Sequence, residues 1–243
     1  MMDVMLGAID GHVEHARTVA REMVSIMRAI DMPETVNFHT TAGFMLRRER
    51  RDLAALGPVA DVAETMGHVT SSPRAMSAFI RFAQGDVAAA ATALEQIVGE
   101  EFSDDGGRAI GVALWSELAV RLGASDLCRS LAESIAHQSG VHFLTGGIYL
   151  GAVDRVRALL HDGLGEHDLA DELYALAVEQ HESLRSPTWV ARTELDWAES
   201  LVRRNRAPDA TAHLDAARNA IGSLDLPDSR HRLDELTMQL ATS

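Results

Sequence analysis

The chain has 243 residues, of which 47% are hydrophobic and 24% charged, and its formal net charge is -14. This composition is that of a folded protein that needs neither disulfides nor a structural metal, and the negative charge excludes a broad nucleic-acid or anionic-membrane surface, which requires clustered cations. All 22 cationic residues are arginine, so no lysine is present for a Walker A loop, a pyridoxal Schiff base or a kinase phosphate clamp.

The sequence predicts a cytoplasmic protein. Cys128 is the only cysteine, so neither an internal disulfide nor a cysteine-rich metal site can form, as is common in a reducing compartment. The amino terminus carries Asp3 and Asp10 without the basic lead of a signal peptide. No segment approaches the ~20 apolar residues of a membrane span.

Small or apolar residues recur along the chain at intervals of 34 to 42 residues. The anchors of this register are Ala16, Leu56, Ala90, Cys128, Ala170 and Ala210. Each anchor is followed four and seven residues later by another residue suited to burial, which is the spacing of one face of an α-helix. Self-similarity at this period is typical of stacked helical repeats.

A turn is predicted five residues before each anchor. The six turn residues are Gly11, Arg51, Gly85, Gly123, Gly165 and Asn205. Glycine and asparagine best tolerate the left-handed conformation that ends a helix, so this position is expected to separate the two helices of a hairpin. Candidate caps of the second helices follow at Asp52, Asp86, Ser125 with Asp126, Asp168 and Asp209.

These signals together predict an all-α fold of about thirteen helices without a sheet. We expect a single domain over 1–243, an α-solenoid of six antiparallel helical hairpins in a right-handed superhelix with a concave groove. The predicted hairpins cover about 1–31, 34–67, 73–99, 107–139, 141–185 and 187–225, and a closing helix covers 228–241.

The first hairpin is shorter than the others, so the chain is expected to begin inside a repeat, as in a fragment of a longer protein. Its apolar residues Val4, Leu6, Ile9, Val13 and Val19 would then form an uncapped edge. Terminal repeats need a polar outer face, so we expect this edge to be covered by self-association or by other domains of a parent protein.

The fifth hairpin carries a resemblance to tetratricopeptide repeats. The turn Gly165-Glu166-His167-Asp168-Leu169-Ala170, followed by Tyr174 and Ala177, looks like the second half of such a repeat. A wider match runs from Tyr149-Leu150-Gly151-Ala152-Val153-Asp154 to Ser186-Pro187-Thr188-Trp189-Val190-Ala191-Arg192-Thr193. Its order is similar to the carboxy-terminal repeats of large bacterial regulators that join a signalling ATPase to helical repeats, often with a LuxR-type DNA-binding end or a cyclase domain.

The specific part of this resemblance covers roughly 145–227. The sequence departs from the repeat pattern in two ways. The first helix of the fifth hairpin is about two turns longer than in a plain repeat, and Arg157 and His161 stand where the pattern prefers apolar residues. The resemblance implies a sensory or scaffolding arm of a regulator.

The first helices of hairpins four to six are expected to line the groove. Counting back from each turn places seven charged residues there: Glu117, Arg121, Arg155, Asp162, Arg192, Glu199 and Arg203. Arg155 and Arg192 are candidates to hold an acidic group, with Glu117 and Glu199 selecting against a purely anionic ligand. The alternative is that several of these residues pair with each other across neighbouring hairpins.

Eleven histidines and an acidic loop raise the question of a metal site. His12 and His15 lie about one turn apart, but no HExxH motif follows and no third ligand is fixed, so solvated or capping histidines are expected. The acidic residues Glu100, Glu101, Asp104 and Asp105 lack EF-hand spacing and are expected to form a capping loop. The sequence predicts no metal.

The remaining candidates favour packing over chemistry. Trp115, Trp197 and Cys128 fall at positions expected in the core. Gly163-Leu164-Gly165 lacks the third glycine of a dinucleotide fingerprint, and no GxSxG elbow is present. Two arginine-rich helix ends, Arg47 to Arg51 and Arg203 to Arg206, are expected to be solvated partners of the helix dipole.

We therefore expect a non-catalytic helical-repeat binding module without a cofactor, the sensory or protein-interaction arm of a bacterial transcriptional or signalling regulator. The alternative is a small-molecule sensor, which requires a pocket between repeats. An enzyme is less favoured, and it would show convergent groups with perturbed protonation.

Overall fold

A computed structural model describes residues 2–32, 35–65, 71–98, 107–145 and 148–242, and more than two-thirds of them are helical. The helices are α1 (Met2–Ile9), α2 (Val13–Ala29), α3 (Thr35–Glu49), α4 (Gly57–Thr65), α5 (Ser71–Ala83), α6 (Val87–Glu95), α7 (Arg108–Leu122), α8 (Ser125–Ile135), α9 (Val153–Gly163), α10 (His167–Ser183), α11 (Pro187–Arg203), α12 (Ala207–Ile221) and α13 (Pro227–Thr242). A 3-10 helix covers Leu53–Leu56, and strands β1 (His142–Thr145) and β2 (Ile148–Ala152) form a two-stranded sheet. None of the helices in these ranges combines the length and the hydrophobicity needed to cross a bilayer.

All six predicted turn residues have a left-handed backbone. Their φ angles are +81° at Gly11, +59° at Arg51, +84° at Gly85, +67° at Gly123, +78° at Gly165 and +57° at Asn205. Glycine adopts this conformation without strain, and asparagine tolerates it better than most residues. The prediction of the turns is confirmed, including the arginine, whose side chain is not suited to this conformation.

The predicted helix face is largely buried. Five of the six anchors are at most 1% exposed: Ala16, Ala90, Cys128, Ala170 and Ala210. Leu56 is only half-buried because the segment before α4 is a 3-10 helix, whose tighter winding turns Leu53 inward instead.

The predicted caps are confirmed at one position. Asp86 accepts a hydrogen bond from the amide of Ala89 at 3.0 Å and caps α6. Ser125 and Asp209 lie inside the first turns of α8 and α12, which begin after Ala124 and Arg206, so the prediction of caps there was wrong. The Asp209 carboxylate still lies where the helix dipole favours negative charge.

The prediction that the fold contains no sheet was wrong. Aromatic and β-branched residues populate the sequences His142-Phe143-Leu144-Thr145 and Ile148-Tyr149-Leu150, and Gly146-Gly147 separates them, which is a composition typical of a β-hairpin. These residues form strands, and α9 begins only at Val153, whose amide donates to the Val141 carbonyl at 2.8 Å. The extra two turns predicted for the first helix of the fifth hairpin are therefore β-structure.

The chain forms two compact units. Unit 1 consists of residues 1–51, 146–149 and 174–243, and unit 2 consists of 52–145 and 150–173. In unit 1, α1 packs against α2 and α11, α3 against α2 and α13, and α12 against α11 and α13. Helices from the two ends of the chain therefore share one core.

In unit 2, α5 packs against α4, α6 and α7, while α8 and α9 pack against α7 and against each other. The central element is α7, which is buried on all sides from Ile110 to Ala119. Apart from Ser116 and Glu117, this segment is apolar or small around the whole helix, with Trp115 fully buried, which explains why it occupies the centre.

The apolar edge predicted at the amino terminus is covered within unit 1. Ile9 and Val13 are 8% and 3% exposed, and Ile9 clusters with Tyr149 and Trp189. The prediction that these residues form an open edge was wrong because α11 packs on α1. Val19 is half-buried, and the side chains of Val4 and Leu6 lie outside the described residues. The expected self-association thus loses this support and stays a prediction.

Candidate ligand-binding pocket

Four of the predicted groove residues lie in unit 2, where they form ion pairs with one another or with a neighbour. Arg155 Nη1 donates to Glu117 Oε1 at 3.2 Å, and the two side chains are only 2% and 5% exposed. Arg121 Nη2 lies 3.9 Å from Glu117 Oε2, and Asp162 lies 3.1 Å from Nδ1 of His167. Glu117 on α7 and Arg155 on α9 therefore pair with each other, which is the alternative considered from the sequence.

The three groove residues of unit 1 are split between two places. Glu199 and Arg203 form an exposed pair at 3.1 Å on α11, and Arg232 of α13 donates to Glu199 at 2.9 Å and to Asp196 at 2.8 Å. Burial alone would lower the pKa of Arg232, but the neighbouring carboxylates of Asp196 and Glu199 outweigh it and raise the pKa above its ordinary value. Arg192 lies elsewhere, in the wall of a pocket.

This pocket of unit 1 is small, with a volume of about 40 Å³, and part of it opens to solvent. Helices α1, α2, α3 and α11 and the start of β2 provide its walls, which are mostly apolar; Met5, Val13, Met45 and Ile148 are among the lining residues. A concave, largely apolar site with a few polar groups is the usual form of a small-molecule site.

A buried ion pair forms the polar part of the pocket wall. Arg192 Nη2 donates to Glu49 Oε2 at 2.5 Å, and the side chains are 5% and 4% exposed. The guanidinium also lies 5.1 Å from the ring centroid of Trp189, within range of a cation–π interaction. The other carboxylate oxygen of Glu49 accepts a long hydrogen bond, 3.5 Å, from the hydroxyl of Ser229. The pair is electrically neutral as a unit.

Two buried polar atoms of the wall lack a hydrogen-bond partner among the described residues. They are Oγ1 of Thr188 and Nε of Arg192, in adjacent turns of α11. A buried donor or hydroxyl without a partner costs roughly 1–3 kcal/mol, and most such groups in native proteins are satisfied. Both residues line the pocket, but the two atoms are closed to solvent, so a ligand would reach them only after neighbouring side chains move.

Aromatic packing holds this part of α11 in place. Tyr149 and Trp189 meet edge to face with ring centroids 5.4 Å apart, and the His181 ring lies 5.9 Å from Trp189. The Thr193 hydroxyl lies 3.0 Å from Nδ1 of His181. Ser186 Oγ donates to the Ile9 carbonyl at 3.1 Å and ties α11 to the end of α1. The part of α11 that carries Thr188 and Arg192 is therefore held in place by ring packing and hydrogen bonds.

Arg192 was a candidate from the sequence, whereas its neighbours in the pocket, Glu49, Thr188 and Trp189, were not. One signal was available for Glu49. Phe38, Ala42, Met45 and Glu49 follow one another at helical spacing, so an acidic residue occupies the apolar face of α3. A carboxylate at a buried position needs a cation, and Arg192 is that cation.

Most of the other residues singled out from the sequence are packed against neighbouring side chains. Trp115 and Cys128 are buried as predicted, and desolvation raises the pKa of the Cys128 thiol to about 11. Trp197 stacks on Tyr174 and on His213, with centroids 5.8 Å and 3.9 Å apart. Arg48 is buried on α3, so its predicted solvation was wrong.

The metal candidates remain without a site among the described residues. His12 and His15 are exposed, and no group of three or more potential ligands is arranged around a common point in that part of the chain. The acidic loop Glu100, Glu101, Asp104 and Asp105 lies outside the described residues. The unit 1 pocket is a candidate binding site, because Thr188 and Arg192, whose buried polar atoms lack a partner among the described residues, line its apolar wall. Comparisons with protein-family models, with curated proteins and with solved structures give no match for this chain.

Proposed function

We propose that this chain is a non-catalytic helical-repeat module that binds a small organic molecule in the unit 1 pocket. The observation that carries the proposal is the pair of buried, unpartnered atoms, Thr188 Oγ1 and Arg192 Nε, in the wall of an apolar pocket. Donors left unmet inside a protein are stabilised when a ligand supplies acceptors.

The module is proposed to be a tetratricopeptide-like solenoid that serves as the sensory arm of a bacterial regulator. The six left-handed turns at the repeat period support the repeat character. The packing of α1 and α3 on α11 and α13 supports the sensory role, because a ligand in the pocket touches helices from both ends of the chain. Binding would favour their packed arrangement, which other domains or a partner protein could read.

A thermal-shift screen tests the proposal. Sugars, nucleotides, amides and short peptides are added to the isolated chain, and a ligand present at about a hundred times its Kd should stabilise the folded state by about 2.7 kcal/mol. For a protein of this size the melting temperature then rises by roughly 5–10 °C.

A pocket-filling variant provides the specificity control. Ala8 is a half-buried residue of the pocket wall, so Ala8→Phe should abolish the shift, whereas Ala212→Phe on the exposed face of α12 should preserve it. A ligand that stabilises both variants equally binds outside the pocket and contradicts the proposal.

A further inference from the structure

The hydrogen-bonding groups of the pocket wall that lack a partner restrict which ligands can bind. Of the guanidinium nitrogens of Arg192, Nη2 donates to Glu49, and Nε is buried without a hydrogen-bond partner among the described residues. The unmet groups are therefore donors, together with the Thr188 hydroxyl, which can donate as well. A ligand that satisfies them must bring a hydrogen-bond acceptor.

The charge balance restricts the ligand further. Arg192 and Glu49 already neutralise each other in a setting where both side chains are almost fully buried. An anion that accepted from Arg192 would lie beside the Glu49 carboxylate on the same guanidinium, and a cation would lie beside Arg192. Either would add an uncompensated buried charge.

The apolar wall of the pocket contains two flexible methionine side chains. Met5 and Met45 are partly buried and pack against the cluster of Ile9, Tyr149 and Trp189. The unmet atoms of Thr188 and Arg192 are closed to solvent, so a ligand reaches them only when neighbouring side chains move. Methionine is flexible and polarizable, and it suits a wall that must re-form around a guest.

We infer that the pocket takes a neutral, largely apolar molecule bearing a carbonyl-type acceptor, which displaces the methionines and accepts hydrogen bonds from Thr188 and Arg192. This inference rests on the proposed function, since it specifies the ligand of the same pocket. The uncharged body packs against the apolar wall, and the acceptor completes the hydrogen bonding of α11. The Arg192–Glu49 pair stays intact and holds the guanidinium in place.

The test uses four probes that share one ring and differ only in the attached group: benzamide, benzoate, benzylamine and toluene. Binding is followed by NMR through the indole N–H signals of the three tryptophans, assigned by single Trp→Phe variants. The Trp189 signal should shift with benzamide, and those of Trp115 and Trp197 should not. Benzamide should bind at least tenfold more tightly than each of the other probes.

Variants of Thr188 test whether the acceptor of the ligand bonds to the Thr188 hydroxyl. Thr188→Val should weaken benzamide binding about fivefold, the effect of one lost hydrogen bond, and should leave toluene binding unchanged. Thr188→Ser keeps the hydroxyl and should retain benzamide binding. Thr211→Val, on the exposed face of α12, is the control.

The outcomes separate the inference from the proposed function. Tighter binding of benzoate or benzylamine, with a shift of Trp189, would leave the pocket as a ligand site and overturn the neutral ligand. Equal binding of benzamide to the wild type and Thr188→Val would overturn the role of the hydroxyl. If no probe shifts Trp189 at millimolar concentration, the pocket does not open to such molecules and the proposed function fails with the inference.

Discussion

Thr188 and Thr193 provide a direct test of the unmet hydroxyl in the pocket wall. Both lie in α11 and both are buried, with 4% and 0% of their surface exposed. Thr188 Oγ1 lacks a hydrogen-bond partner among the described residues, whereas Thr193 Oγ1 lies 3.0 Å from His181 Nδ1. Substitution by valine preserves the shape of the side chain, so the difference between the two variants reports hydrogen bonding.

Thr188→Val should raise the free energy of unfolding of the ligand-free chain by about 1 kcal/mol, because it removes a dehydrated hydroxyl that gained no partner on folding. Thr193→Val should lower it by about 1–3 kcal/mol, because it removes a bonded hydroxyl next to a buried imidazole. Urea unfolding followed by circular dichroism measures both changes. Equal destabilisation by the two substitutions would refute the reasoning, since the Thr188 hydroxyl would then have a partner.

Three further predictions concern residues of unit 2. Glu117→Leu should lower the free energy of unfolding by about 3–5 kcal/mol because it removes one partner of the buried ion pair with Arg155, and Glu117→Leu combined with Arg155→Met should recover much of that loss in urea titrations. Gly123→Ala should cost about 1 kcal/mol through the φ of +67° alone, since no atom lies within 4 Å of the added Cβ, and a loss above 3 kcal/mol would contradict this assignment. Cys128 should react with a thiol reagent about a hundredfold more slowly at pH 8 than after denaturation, because burial raises its pKa to about 11 from 9.0, and equal rates would show an exposed thiol.

The sequence predicted the features of the fold that depend on local chemistry. Glycine and asparagine turns, helical spacing and the Asp86 cap are decided within a few residues, and the structure contains each of them. The strands β1 and β2 were also encoded locally, by aromatic and β-branched residues around Gly146-Gly147. They were missed because the helical register was extended through them.

The pocket was accessible to sequence reasoning only in part. Arg192 was predicted as a binding residue from its helical position, but its partner Glu49 is 143 residues away in the chain. A contact at that separation follows from the packing of α3 and α11 in one unit, which a repeat pattern that relates neighbouring hairpins does not contain. The unmet state of Thr188 depends likewise on three-dimensional packing, because its sequence position is that of an ordinary first-turn residue.

Hydrogen–deuterium exchange of the chain tests whether the unit 1 pocket is the binding site. Exchange is compared with and without the ligand that gives the largest thermal shift. Exchange should become slower in α1, α3 and α11, which line the pocket, because a bound ligand suppresses the local opening of these helices. Protection confined to the helices of unit 2, with exchange in α1, α3 and α11 unchanged, would contradict it.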